Sequence, residues 1–457
     1  TAQPRYPGYD FISRLGGSRM HALSVSIGVV SPRDLYADKH TRLYGTVFCA
    51  GSADRYARLW DLKQYKEQLR RHDPQRDNMV LMNTWGDRGQ DAKISEAFIM
   101  EEIDAGRRLG VSHLQIDDGW QTGITGNSVY SGGSLSDIWE KGNYWEIHRE
   151  KFPDGFHALV RKADRAGIEI ALWFNPSTDD SYANWRADAK VMIDLYNTYG
   201  IRTFKIDGVS IPDREAERNF RAMLDTVMAA TGHEAVINLD VTGNAARPGY
   251  HWFNEYGNIF LENRYTDWRN YYPYWAHRNL WQLSAYVPPR SLQMEFLNKW
   301  RNHDLYRADD PLAPNNIPFE YLMAITLPAQ PLAWFEGTGL PEEAFMVAPL
   351  IEDYRQVAGA WHGGKVFPVG EEPSGTGWTG FQSVTDPSSG FVMVYREYSP
   401  DASASIPLHL PGNTRVKFTP VFGPGDGFTA RTGEKGEVTF ALPAKWSFTM
   451  YAYETRE

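Results

Sequence analysis

Cysteine is nearly absent: the 457 residues include one, Cys49. No disulfide can form within the chain, and a cysteine-based zinc site is excluded. Apolar runs are short, and none approaches the ~18 residues of a membrane-spanning helix. Positive charge is in deficit. Lys and Arg number 47 against 57 Asp and Glu, a net charge of -10, which argues against nucleic acid or an anionic membrane as a partner. No GxGxxG follows the first apolar run, and neither a His-x-x-x-His pair nor an EF-hand loop occurs, so no cofactor and no metal are expected. The first residue is Thr, and no charged and then apolar leader follows it. The chain reads as processed or as a piece of a longer one. Its compartment stays open between cytoplasm, periplasm and exterior.

What is present is ordinary for a globular protein, with 42% hydrophobic and 23% charged residues. Aromatic residues are abundant at 14%, including 16 Trp. That suits flat, partly apolar ligands such as sugars, and a large aromatic core accounts for it equally well.

Three regions differ in pattern. Residues 1–75 hold short β-like runs, HALSVSIGVV (21–30) and RLYGTVFCAG (42–51), and a helix-like stretch at 53–71. They read as an N-terminal segment, the tail or remnant of a β domain. Residues 76–362 alternate strand-like and amphipathic helix-like runs. The strands expected are MVLMNTW (79–85), SHLQIDD (112–118), IEIALWF (168–174), IRTFKID (201–207), AVINLDV (235–241), NIFLEN (258–263), QLSAYV (282–287) and PLAWFE (331–336). Between the first two, 95–110 carries Ile99, Ile103 and Leu109 on one face and stops at Gly110. Eight such units predict an α/β fold, a (β/α)8 TIM barrel. Residues 363–457 hold short strands with Gly, Pro and Asp between them, and read as a C-terminal antiparallel β-sandwich.

The strand ends are polar. In order they offer Asn83 and Trp85; Asp117 and Asp118; Trp173 and Asn175; Lys205 and Asp207; Asn238 and Asp240; and Glu262, Asn263, Arg264 and Asp267. One polar end can be a cap or an ion pair. Six in succession, four of them acidic, converge on the mouth of a barrel, where such folds do chemistry.

Lys205 and Asp207 are two apart on a strand and share a face. A cation there favours an ionised Asp207, as a glycosidase nucleophile must be. A second carboxyl group must protonate the leaving oxygen. Asp267, flanked by Tyr265 and Trp268, is the choice, with Glu262 as runner-up. Carboxyls about 5–5.5 Å apart would mean retention of anomeric configuration, and about 6.5–9.5 Å inversion. The adjacent acids Asp117 and Asp118 lack evident local donors, and sugar hydroxyls would supply them. Trp85, Trp120 and Trp173 are candidate platforms for the sugar ring. A simple Lys205–Asp207 ion pair, structural pairing of Glu262 with Arg264, and a metal at Asp117–Asp118 are the competing readings.

IDDGWQ, ALWFNP, FKID and RYTD, in this order on successive strand ends, with NTWGDR on the first, resemble the α-galactosidase clan and most closely glycoside hydrolase family 36. DDGWQ is similar to the raffinose-synthase-like branch, and R-x-S/T-D to that branch and to family 27. The resemblance implies Asp207 as nucleophile and Asp267 as acid/base. It implies Asp117 and Asp118 on galactose O4 and O6, Lys205 on sugar hydroxyls, and Trp85, Trp173 and Arg264 in the site. The sequence departs from the family at Lys205-Ile206-Asp207-Gly208. It departs again at NLDVTGNAARPG (238–249), where a Cys-Ser-Gly-Gly run is usual. That loop commonly meets the sugar's C2 substituent, so Asp240, Asn244 and Arg247 are the candidates for choosing between galactose and N-acetylgalactosamine. The family's large N-terminal β domain is mostly missing from the chain.

The expectation is a retaining α-galactosidase-like hydrolase acting on an oligosaccharide or glycoconjugate. An α-N-acetylgalactosaminidase and a raffinose-synthase-type transglycosylase are alternatives that share the covalent intermediate. A non-catalytic carbohydrate-binding barrel and an unrelated metal-dependent lyase are the readings from other classes. The polar segment 295–316 reads either as the wall beyond the cleaved bond or as a contact in a homo-oligomer.

Overall fold

The computed structural model describes residues 9–15, 21–27, 54–242, 249–261 and 264–456. Of the N-terminal runs, His21–Ile27 is a strand, paired antiparallel with Tyr9–Leu15. The run 42–51 lies outside the described residues.

Eight parallel strands close into a barrel: Leu81–Asn83, His113–Ile116, Glu169–Phe174, Thr203–Ile206, Val236–Asp240, Gly257–Leu261, Leu292–Phe296 and Gln330–Trp334. They are numbered first to eighth below. Seven coincide with runs expected from the sequence, five of them inside and two, Gly257–Leu261 and Gln330–Trp334, beginning one residue earlier. The seventh does not: QLSAYV ends the helix Pro273–Ser284, and the strand is the later LQMEF. Ala276, His277, Leu280 and Ser284 are buried at helical spacing, which sets this segment as a helix.

Local signals fix the helices as expected. Ser95 accepts from Phe98 N–H and starts Glu96–Leu109, and Gly110 ends it at φ 88°. Helix Arg55–Leu69 is capped by Asp54, which accepts from Ala57 N–H at 2.8 Å.

The barrel interior is unusual in chemistry. Barrel cores are mostly branched aliphatic, whereas here amides line the axis. Asn83 donates to Gln115 at 2.7 Å, Asn258 to Asn238 at 3.1 Å, and Gln330 to Asn258 at 3.2 Å. All five are fully buried. Bonds among them offset part of the cost of burial, while Gln115 Nε2 and Asn238 Nδ2 have no partner among the described residues. Arg70 closes the N-terminal end. It reaches Asp77 at 2.5 Å, Ser291 at 2.5 Å and Asn258 at 2.8 Å.

The C-terminal region forms a six-stranded antiparallel sheet facing the pair Ser403–Pro407 and Glu437–Ala441. Its alternation decides which side touches what. Val392 and Val394 pack with Ile406, Val438 and Phe440 between the sheets. Met393 and Tyr395 face the other way and join the barrel core, with Phe448 and Met450. Tyr395 donates to the Ala324 carbonyl at 2.8 Å, and Ser383 to the Trp361 carbonyl at 2.6 Å. The sandwich and the barrel therefore share one apolar core.

His277 sits at this junction, against Phe381 and Tyr395. It is 1% exposed, and neither ring nitrogen has a partner among the described residues. Burial pulls its pKa down to about 3. The folded protein holds it neutral while the unfolded chain protonates it near pH 6.5, so its contribution to stability is lost as pH falls below that. Asp188 works in the opposite sense, because burial raises it to about 7. The wild-type profile alone thus mixes opposing contributions. Urea denaturation of the wild type and His277→Leu isolates the histidine. The stability gap should move by about 2 kcal/mol in favour of the variant between pH 6.5 and 5. A gap that does not change with pH would refute this account of His277.

Candidate active site

The strand ends converge as a barrel requires, and their centre is Lys205. It is 3% exposed on the side chain and projects from the fourth strand. Its Nζ lies 3.2 Å from Asp117, 3.3 Å from Asp240 and 3.7 Å from Asp207. It also stands over the rings of Phe260 at 4.6 Å and Trp334 at 5.3 Å. One cation thus gathers groups from the second, fourth, fifth, sixth and eighth strands. Two like charges among three acids remain formally uncompensated by Lys205 alone, and the burial of each acid decides where that cost falls.

Asp240 is buried. Burial first, then repulsion from Asp207, raises it to about 6, against the pull of Lys205 and two bonds from Thr242. Asp207 differs. Its side chain is 36% exposed, while those of Asp117 and Asp240 are each 3% exposed. Two donors orient it, Trp173 Nε1 at 3.1 Å and Gly208 N–H at 2.7 Å, and Lys205 stands beside it as an ion-pair partner. Gly208 has φ 64°, and a Cβ there would collide with the Asn175 side-chain amide. Glycine is therefore what lets the backbone fold under the carboxylate. The expected sharing of a face by Lys205 and Asp207 is present.

The adjacent acids have more local donors than the sequence discloses. Asp117 accepts from Asn83 at 2.8 Å and Lys205, and from the Asp118 N–H at 2.9 Å. Asp118 accepts from Gln121 at 2.7 Å and from the Thr125 hydroxyl. Burial still outweighs those two bonds and lifts Asp118 to about 6. Gln121 and Thr125 lie on the loop after the acids. No residue spacing marked them.

The tryptophans expected as platforms are enclosed. Trp120 is fully buried, donates to the Trp173 carbonyl at 2.9 Å and packs on Trp145 and Phe156. It backs the site and shows it no face. Trp173 is 4% and Trp85 9% exposed. Trp173 uses its N–H to hold Asp207, and Trp85 is anchored through its backbone to Asn83 at 2.8 Å. The exposed tryptophan at this mouth is Trp268, at 56%.

Asp267 follows the sixth strand with its side chain 33% exposed. Arg88 pairs with its Oδ2 at 3.3 Å, while Oδ1 has no partner among the described residues. The guanidinium of Arg88 lies 4.8 Å from the ring centres of both Tyr265 and Trp268. The aromatic flank thus grips an arginine beside Asp267 and does not enclose the carboxyl. Arg264 is bound by Glu295, itself 1% exposed on the seventh strand. Arg88 stood in view within NTWGDR, but its approach to Asp267 depends on a chain separation of 179 residues. Glu262, Asn244 and Arg247 lie outside the described residues.

A cavity of about 580 Å³ opens on the opposite, N-terminal end, among Arg70, Arg76, His113 and Arg202. Arg76 there is committed to Asp77 at 2.7 Å and Arg202 to Glu169 at 2.6 Å. In a barrel that end carries stability, and the polar mouth carries the site.

Known proteins resemble this chain in sequence over part of its length and in fold. Residues 46–213 match the Melibiase family model. α-Galactosidase Mel36A of Lactobacillus acidophilus is 26% identical over 113 residues, 25% of this chain and 13% of that one. α-Galactosidase 1 of Pediococcus pentosaceus is 26% identical over 97 residues, 21% of this chain and 12% of that one. The fold matches the family 36 α-galactosidase AgaA of Geobacillus stearothermophilus, solved with raffinose. The TM-score is 0.63 at 14% identity, over 86% of this chain and 58% of that one. The galactosidase domain of the α-galactosidase–sucrose kinase AgaSK gives 0.64 at 13% identity, over 87% and 58%. The alignments thus span about an eighth of the curated relatives' length and under two thirds of these structures. Over residues 46–213 the chain thus resembles the Melibiase family, and its fold is that of the family 36 α-galactosidases.

Proposed function

We propose that the protein is a retaining α-galactosidase-like glycoside hydrolase, with Asp207 as nucleophile and Asp267 as acid/base. One observation carries the reading. Of the three acids around Lys205, Asp207 alone is open to the mouth, and two N–H donors orient it beside the cation. A carboxylate so held is arranged for attack on an anomeric carbon.

The steps follow from the two acids. Asp207 attacks the anomeric carbon and forms a glycosyl ester as the glycosidic bond breaks, and Asp267 gives its proton to the departing oxygen. Asp267, now a carboxylate, takes a proton from water, which attacks the same carbon and frees Asp207. Lys205 stabilises the carboxylate that leaves in the second step. Asp117 and Asp118 retain lone pairs on oxygens already oriented by protein donors, so they can accept sugar hydroxyls without rearranging. Arg88 holds Asp267 by Oδ2, and Oδ1 is buried with no partner among the described residues. The relatives named α-galactosidases, and the raffinose in the AgaA structure, favour a galactose-configured sugar. The α-N-acetylgalactosaminidase and transglycosylase alternatives have no comparable observation in their favour.

Two measurements test the assignment. A galactose-configured cyclophellitol-type trap should add one equivalent to the intact protein, and peptide mapping should find it on Asp207. Asp207→Asn should take no label. A label on another carboxylate, or none, would overturn the nucleophile. Asp267→Ala should lose about 10²–10⁴-fold on a galactoside with a sugar leaving group. It should lose far less on a nitrophenyl galactoside, whose leaving group needs no proton in the first step. Equal losses on both would remove Asp267 from the acid role.

A further inference from the structure

The loop after the first strand is pinned to the end of the eighth, and it delivers one side chain to the acid/base. Gly86 lies flush on that end, where a Cβ would collide with the Trp334 carbonyl. Asp87 is buried and accepts the Glu336 N–H at 3.2 Å. Arg88 comes next, its N–H on the Trp85 carbonyl at 3.0 Å and its φ at 60°. A positive φ is uncommon for a residue with a long side chain and persists where the surroundings fix it.

From that turn the guanidinium lies over both the Tyr265 and the Trp268 rings, 4.8 Å from each centre. Aromatic faces hold such a cation by charge as well as by contact. Its Nε donates to Asp267 Oδ2 at 3.3 Å, the one hydrogen bond to that carboxyl among the described residues. Arg264, far nearer in sequence, is taken by Glu295. The cation beside the acid/base therefore comes from across the barrel.

In each turnover Asp267 becomes a carboxylate as the glycosidic bond breaks. A cation already fixed beside it stabilises that charge without having to move. A bond to one oxygen also restricts rotation of the carboxyl group. We propose that Arg88 is a positioning residue for the acid/base: it orients Asp267 and stabilises the carboxylate left when the proton departs. This rests on the assignment of Asp267 and deepens it.

A double-mutant cycle on two substrates tests the role. Arg88→Met keeps a long side chain against the two rings and removes the charge and the donor. On melibiose kcat/KM should fall on the order of tenfold more than on a nitrophenyl galactoside, with the loss in kcat and not in KM. The nitrophenyl substrate needs no proton in the first step, so its turnover reports folded enzyme. In an Asp267→Ala background the same change should alter melibiose by less than about threefold, because the group that Arg88 acts on is gone. Arg88→Gln runs the same cycle should the methionine variant not fold. A loss equal on both substrates, or one undiminished without Asp267, would place Arg88 on the sugar or in the fold and overturn the proposal alone. If Asp267→Ala itself costs the same on both substrates, the acid/base reading falls, and the role of Arg88 with it.

Discussion

The arrangement at the mouth depends on a buried ammonium group. Lys205 sits almost out of solvent among Asp117, Asp207 and Asp240. Removing an ion from water costs several kcal/mol, and only close opposite charge offsets it. The acids need Lys205 for the same reason, since three carboxylates so near one another repel. Each therefore settles differently. Asp117 shares Asn83 with the amide network of the barrel axis. Asp240 is raised by burial and by its neighbour Asp207. Asp207 keeps contact with water and is held by N–H donors. A single cation thus produces unlike environments for chemically identical groups, which is what two-carboxylate chemistry requires.

The support for that cation runs through the whole barrel. Its axis is filled by bonded amides from Asn83 to Gln330, and Arg70 closes the far end. The bonds among these amides fix their side chains, although Gln115 Nε2 and Asn238 Nδ2 have no partner among the described residues. Rigidity at the axis is transmitted to the strand ends, where Lys205 and Trp173 place Asp207. The C-terminal sheet adds a second constraint, because its inward face completes the barrel's own apolar core through Met393, Tyr395 and Phe448. His277 lies buried at that seam, with neither ring nitrogen partnered among the described residues.

The match to the Melibiase family model covers the first half of the barrel, over residues 46–213. That part carries NTWGDR, IDDGWQ, ALWFNP and FKID, and so the acids of the Lys205 cluster apart from Asp240. The second half supplies Asp267 and Arg264, which lie outside the residues that the family model matches. On the proposed reading, the nucleophile and the acid/base thus fall on differently matched parts of one molecule.

Periodicity and order made much of this legible in the amino acids alone. Seven of eight strands, the two cited helices and the succession of polar strand ends could be read because each is local. The Lys205–Asp207 pair could be read because residues two apart on a strand must share a face. The seventh strand could not, since QLSAYV and LQMEF are both short apolar runs and only packing of Leu280 and Ser284 decides between them. Nor could the fate of the tryptophans: Trp120 and Trp268 are alike in sequence, yet one is core and the other open to water. The donors to Asp118 and the arginine beside Asp267 likewise come from loops and from across the barrel. Sequence by itself determined which chemistry stands at the strand ends, because strand geometry is set residue by residue. Tertiary structure alone decided which groups are buried, paired or exposed, because those properties belong to contacts between distant parts of the chain.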